Sequence, residues 1–253
     1  MIQLHIAANF LPLLTQHQLV RYDQLMSSSA GELLDRDDRR DIQKIRLGNE
    51  NFFLKRTWSE KTSSALESYL SGKKAHSKPF KEMLQIGYLR EQGFDTAEVV
   101  AAGEQLKFGI PVGGFIMTRE VNGEELTLKY SKADSLESSA LLSQLGQLLG
   151  RLHRKGFFLS VRLKDIFVQE TSEGTPLFVL IDREARNPAP KKFSARQARN
   201  GLHTSARRQI RAGDSLLPLE LRTVLQHYCK EISDVWPIKP AKLMRELRSF
   251  QRS

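Results

Sequence analysis

Cys229 is the only cysteine in the chain. One thiol excludes an internal disulfide and a cysteine-based zinc cluster, and it suits a reducing, cytoplasmic setting. Cys229 itself reads as a packed thiol in a helix. Long apolar runs are missing as well. Residues 1–14 are mildly apolar but have no basic leader, and His5, Asn9 and Pro12 interrupt them, so neither a secretory signal nor a membrane span is expected. Glycine-rich phosphate loops of the Walker or dinucleotide type do not occur, and Gly48 alone is too little to count as one. Internal repeats are absent. Acids are outnumbered: 39 Lys and Arg against 29 Asp and Glu leave a formal charge of +10. That excess calls for an acidic partner, whether nucleic acid, phosphorylated saccharide, nucleotide or anionic membrane, and charge alone does not choose among them.

What the chain does have is enough apolar content, 40% of 253 residues, to bury one large core or two lobes. Residues 1–30 predict one short helix before Ser27, Ser28 and Ser29 and no function. In residues 42–47, Ile45 and Leu47 alternate with Lys44 and Arg46 as in a strand. The turn residues Gly48 to Asn51 follow, then Phe52, Phe53, Leu54, Lys55 and Arg56, so the two runs predict a β-hairpin with Lys55 inside it. Residues 59–79, rich in Ser and Lys, read as a loop with at most a short helix. Phe80, Met83, Leu84 and Tyr88 then share a helical face beside Glu82, with Gly93 as the stop before a strand at Val99 and Val100. Taken singly, Lys55 is a solvent-facing strand lysine and Glu82 a solvated helix carboxylate. Residues 113–118 predict another strand running into a polar connection.

The second half opens on Leu141, Leu142, Leu145, Leu148, Leu149 and Leu152 at helical spacing. Gly156 is the stop, with His153, Arg154 and Lys155 as bases suited to a helix C-terminus. Two apolar runs follow, 157–168 and 177–181, separated by turn residues, and the second ends on Asp182, a carboxylate placed to hold a metal. Strands early and helices late predict an α+β protein with segregated lobes rather than a doubly wound sheet.

In this order, Lys55, Glu82 and Asp182 resemble the protein-kinase-like fold, and within it the lipopolysaccharide core sugar kinases, which phosphorylate heptose or Kdo. The resemblance rests on Arg39 to Leu47, Phe53 to Arg56, Lys81 and Glu82, Leu89 to Gly93, Ala102 to Glu104, Phe115 to Thr118, Leu152 to Gly156 and Val179 to Asp182. It implies a bilobal fold: an N-terminal extension over 1–30, a β-rich N-lobe over 31–120 and a helical C-lobe over 121–253. It also implies ATP and Mg2+ as cofactors, with Lys55 on nucleotide phosphates, oriented by Glu82, and Asp182 on the metal.

The family's catalytic loop is degenerate in this sequence. Its His, Asp and Asn or His positions fall on Leu159, Val161 and Ile166 when read from Gly156 without a gap. Shifted by one they fall on Phe158, Ser160 and Asp165. No catalytic aspartate results, and a serine hydroxyl does not act as a base near neutral pH without an activator. Asp165 reads as a second metal ligand, a displaced catalytic base or an ordinary turn residue. The functions implied are ATP-dependent phosphorylation of an inner-core sugar with an impaired loop, or a pseudokinase that binds nucleotide, saccharide or a partner enzyme. Between Arg183 and Arg211, nine Lys or Arg stand against Glu184 alone. This segment reads as a solvated face or as a surface for an anionic core saccharide, a lipopolysaccharide precursor or the inner leaflet of the membrane. Its sparse aromatics disfavour nucleic acid. Residues 219–228 predict a helix, and Leu243, Leu247 and Phe250 among Lys239, Lys242, Arg245 and Arg248 predict a basic amphipathic one after it.

Overall fold

A computed structural model describes residues 1–60, 74–171, 176–182, 187–213 and 216–249. Most of the Ser- and Lys-rich tract expected as a loop, and Phe250, lie outside the described residues. The fold divides into two compact units, Met1–Val121 with Asp182–Pro188, and Asn122–Ile181 with Ala189–Ser253.

The expected hairpin is present. Strand β3 (Arg40–Leu47) buries Ile45 and Leu47 and leaves Lys44 and Arg46 more open, as alternation requires. Gly48, at φ +60°, and Asn49 turn it into β4 (Glu50–Thr57). These strands belong to an antiparallel sheet ordered β1-β5-β6-β4-β3-β2. Its other members are β1 (Ile2–Ile6), β2 (Glu32–Arg36), β5 (Val99–Lys107) and β6 (Ile110–Arg119). Two short helices, α1 (Leu11–Gln16) and α2 (Tyr22–Ser27), precede β2, and α3 (Lys78–Glu91) follows β4.

The opening thirty residues add more than the predicted helix, which is α2. Strand β1 pairs with β5, and Phe10, Leu14, Leu19, Tyr22 and Leu25 join Ile45, Phe52, Leu54, Phe115 and Met117 in one apolar cluster. At about 1.5–3 kcal/mol for each large apolar side chain buried, these five residues are a major part of that core. A polar contact fastens them too. Arg56, next to Lys55 and so on the opposite face of β4, donates from Nε and Nη2 to the Asp41 carboxylate at 2.8 and 2.5 Å. Its Nη1 donates to the carbonyls of Met26 (2.9 Å) and Ser28 (2.7 Å), which end α2. Both charged side chains are buried.

The second unit is helix-rich: α4 (Leu126–Lys132), α5 (Ser135–Arg154), α6 (Ala195–Arg211), α7 (Pro218–Glu231) and α8 (Pro240–Ser249), with a small sheet of β7 (Glu124–Glu125), β8 (Ile166–Glu170) and β9 (Pro176–Leu180). The leucine stripe is buried along α5 as predicted. Gly146 and Gly150 lie one helical turn apart on it, and a Cβ at either would come within 2.3 Å of the Val224 carbonyl or 2.4 Å of Glu231 Cβ on α7. Small residues here permit a backbone approach that no larger side chain allows. Leu243 and Leu247 of α8 are buried while Lys242 and Arg245 are exposed, so the basic tail helix docks by its apolar side. A strand-rich first unit and a helix-rich second bear out the α+β, bilobal expectation. No helix among the described residues is long and apolar enough to cross a membrane.

His153 departs from its sequence reading. Grouped with Arg154 and Lys155 as a base at the helix end, it is instead fully buried, with Nδ1 2.8 Å from the Tyr228 hydroxyl. Burial pushes its pKa down to about 4, against the opposing pull of the Leu159 carbonyl, so at neutral pH it brings no charge to the helix terminus.

Two outcomes follow from this packing. Arg56→Leu strands the buried Asp41 carboxylate and should lower stability by about 3–5 kcal/mol in denaturant titration, whereas Arg56→Leu with Asp41→Leu should regain much of the loss; equal losses in the two proteins would show that the pair is not what the region rests on. For His153 the folded pKa lies below the unfolded value of about 6.5. As pH falls from about 6.5 toward 4, the unfolded chain gains a proton that the folded chain refuses, and stability drops by on the order of 3 kcal/mol, with no effect above that window. Melting temperatures from pH 7 to 5 should fall less steeply in His153→Gln; parallel slopes would refute the assignment.

Candidate active site

Position 55 places an ammonium on the face of the sheet opposite Arg56, and α3 brings a carboxylate to it. The helix starts at Ser77, whose Oγ accepts from Phe80 N, with Pro79 in the first turn, where its missing N–H costs nothing. That start is pinned to β5 by Glu104, a fully buried carboxylate that accepts from Ser77 N at 2.7 Å and meets His76 Nδ1 at 2.7 Å. With its N-terminus fixed, α3 delivers Glu82 about one turn in, and the side chain is buried rather than solvated.

Lys55 Nζ donates to Glu82 Oε1 at 2.9 Å and to Asp182 Oδ1 at 2.8 Å. Residues 182–188 accordingly count with the first unit although they follow the second-unit strand β9 in sequence. Lys55 is 23% exposed, Glu82 7% and Asp182 49%, so the lysine and glutamate sit in a dry setting and the aspartate reaches toward water. Burial alone would push the Lys55 pKa down, but the two carboxylates outweigh it and raise the value above the ordinary lysine range, keeping the charge in place. Asp182 has φ +55°, a left-handed conformation that aspartate tolerates better than most residues but that still marks a constrained backbone. Lys55 stands on β4, the second strand of the expected hairpin.

Asp165 is held differently. It closes a 3₁₀ turn, Leu163–Asp165, in the second unit and is buried. Arg162 Nε donates to its Oδ2 at 2.9 Å and to its Oδ1 at 3.1 Å, and Nη2 donates to Oδ1 at 2.6 Å. Both carboxylate oxygens are thereby engaged by a guanidinium, which occupies lone pairs that a metal or a substrate proton would use.

The segment before that turn is held by α6. Ser205 Oγ accepts from Val161 N at 2.9 Å and donates to Gly201 O at 2.9 Å; Gln209 Oε1 accepts from Leu163 N at 3.1 Å; Arg208 Nη1 lies 3.4 Å from Ser160 Oγ. Val161, one of the two positions that the resemblance sets against the family's catalytic aspartate, is buried. Composition pointed to the charge of α6, but Ser205 and Gln209, two uncharged residues four apart on one helix face, do the holding. Their spacing was the only sequence signal.

The site chemistry fits magnesium and a nucleotide in one respect. Asp182 offers a half-exposed carboxylate beside a charged lysine, and magnesium bound with phosphates needs one or two protein carboxylates rather than a full protein cage. No cluster of three or more His, Cys, Asp or Glu side chains suited to a metal occurs among the described residues. Asp165 would have to release Arg162 to serve as a second ligand.

The chain is similar to a solved structure of WaaP in complex with acyl carrier protein, with a TM-score of 0.66 and 16% identity over 98% of this chain and 97% of that one. A Rio2 kinase bound to ADP and magnesium as a phosphoaspartate complex, from Chaetomium thermophilum, matches more loosely, with a TM-score of 0.45 and 14% identity over 95% of this chain and 75% of that one. No curated protein sequence matches the chain. The sequence profile of the lipopolysaccharide kinase (Kdo/WaaP) family matches residues 31–214, and the chain belongs to that family.

Proposed function

We propose that the protein is an ATP-dependent kinase of an inner-core sugar hydroxyl, working slowly and without a conventional general base. The observation that carries this reading is the Lys55 ammonium held between Glu82 and Asp182. Phosphoryl transfer depends on positioning and charge neutralisation more than on covalent help, and these three residues supply both. Lys55 binds nucleotide phosphates, and Glu82 fixes its rotamer and charge. Asp182 holds magnesium, which when bound neutralises phosphate oxygens as charge develops. Loss of the base lowers the rate by about 10²–10⁴-fold and leaves the rest of the machinery in place.

Asp165 in this reading is a lock on the turn, because Arg162 occupies its oxygens. The same observation favours a second reading, a pseudokinase that binds nucleotide without transfer. One set of proteins separates them. Lys55→Ala should cut ATP-induced thermal stabilisation by an amount equivalent to at least tenfold in affinity, measured relative to its own baseline, since losing the Lys55 contacts to Glu82 and Asp182 shifts that baseline. Asp165→Asn should lower the melting temperature while leaving the ATP shift intact. Equal ATP shifts in wild type and Lys55→Ala would remove the nucleotide site. Phosphate transfer to core oligosaccharide that vanishes in Asp165→Asn with stability unchanged would return Asp165 to catalysis, and no transfer by any variant, with ATP still bound, selects the pseudokinase.

The setting we propose is the cytoplasmic side of the inner membrane, reached by charge. Arg196, Arg207, Arg208 and Arg211 of α6 are exposed, as are Lys191 and Lys192 before it; Arg183 and Arg186 lie outside the described residues. Each basic residue near an anionic surface contributes about 1 kcal/mol. Sedimentation with vesicles containing anionic lipid should fall as salt rises and fall further in Arg196→Glu with Arg207→Glu; binding indifferent to both would leave this face merely solvated.

A further inference from the structure

Beside the loop after Gly156 the second unit contains an open cavity of about 380 Å³ with mixed polar and apolar walls, lined by Phe158, Ser160, Lys191, Gln197, Asn200, Gly201 and Thr204. Its volume lies at the lower end of the range of about 300–1,000 Å³ usual for small-molecule sites. Its walls have an order that the helix explains. Asn200 and Gly201 each lie three or four residues from both Gln197 and Thr204, so the four form one stripe of α6, while Ala198, Leu202, Ser205 and Gln209 are buried on another. Gly201 is one of the lining residues. A Cβ there would stand 3.0 Å from His153 Nε2 on α5, so a larger residue would press on the buried imidazole. Opposite the stripe, Phe158 is wedged between His153 and Phe193, with ring centroids 5.6 and 6.2 Å away. Lys191 is fixed by its backbone: its N–H donates to Gly156 O at 3.1 Å, and Gly156 has φ +86°.

This is a preformed site, and one of its polar groups is unspent. Gln197 Oε1 is buried with no hydrogen-bond partner among the described residues, a condition that costs stability unless a ligand or water meets it. Carboxamides and hydroxyls both donate and accept, which matches the paired donor and acceptor character of sugar hydroxyls. An aromatic wall suits the C–H face of a pyranose. The cation at Lys191, with Arg208 reaching Ser160 Oγ at 3.4 Å, suits one anionic substituent. A second cavity in this unit, lined by Leu145, Leu149, Leu202 and Val224, is apolar and holds only about 80 Å³. It offers nothing comparable to a sugar.

We infer that the Phe158, Gln197, Asn200 and Thr204 cavity is a saccharide site that takes one sugar unit bearing a carboxylate or phosphate, with Lys191 on the anionic group. The inference rests on the sugar-acceptor reading above and assigns that reading a location. Its test is ligand-observed NMR titration of the full chain with Kdo, a carboxylated sugar, and with methyl α-mannoside, a neutral one, alongside ATP thermal shifts. Kdo should bind at least tenfold more tightly than the mannoside. Asn200→Ala and Gln197→Ala should each weaken Kdo at least fivefold, and Lys191→Ala should bring Kdo down to the level of the mannoside. Asn200 and Lys191 are exposed, so their variants should fold, and ATP shifts should be unchanged in all three. Kdo binding equal in wild type and variants, or absent from wild type, overturns the site. If ATP still stabilises the protein in that case, the kinase reading survives; if it does not, both fall together.

Discussion

A lysine ammonium withdrawn from water has to be met by negative charge, and most of the first unit is arranged around that requirement at Lys55. Two carboxylates meet it from different parts of the chain, Glu82 from α3 and Asp182 from beyond β9. The glutamate reaches it only because Glu104 ties the start of α3 to the sheet, so one buried carboxylate fixes where another points. The aspartate reaches it in a left-handed backbone conformation, a local cost borne by the charge pairing.

The second unit meets a different requirement. The loop after Gly156 has few side chains that cap its own backbone, and buried backbone groups in such a segment must find partners elsewhere. Ser205 and Gln209 provide them from α6, and Arg162 and Asp165 close the turn on each other. The segment is therefore ordered by contacts that do not require it to be catalytic.

Much of this was legible beforehand. Alternation about Ile45 and Leu47, the glycine after it, the leucine spacing of α5 and the stop at Gly156 each express local rules of period and turn chemistry, and those are the rules sequence states most directly. Residues 1–30 were not legible because β1 is identified by its partner β5, not by any strong pattern of its own. Glu82 and His153 were misread singly for one reason: charge and exposure belong to the neighbourhood, and the neighbours lie 27 and 75 residues away. Lys55, Glu82 and Asp182 were drawn together only through resemblance. Gly146 and Gly150 passed unnoticed, since a glycine that admits a neighbouring helix looks in sequence like one that merely weakens its own.

The anchoring of Arg56 bears on where this protein can be divided. The segment that matches the family begins at residue 31 and ends at 214, yet the carbonyls that receive the Arg56 guanidinium are those of Met26 and Ser28. Tyr228, which faces His153, and Leu243 and Leu247, which seal the second core, lie past the other end. A fragment cut to the matched span would expose the β5 edge to other chains, open both cores and leave a guanidinium partly unmet. The unit of homology is smaller than the unit of folding, and soluble expression will follow the second.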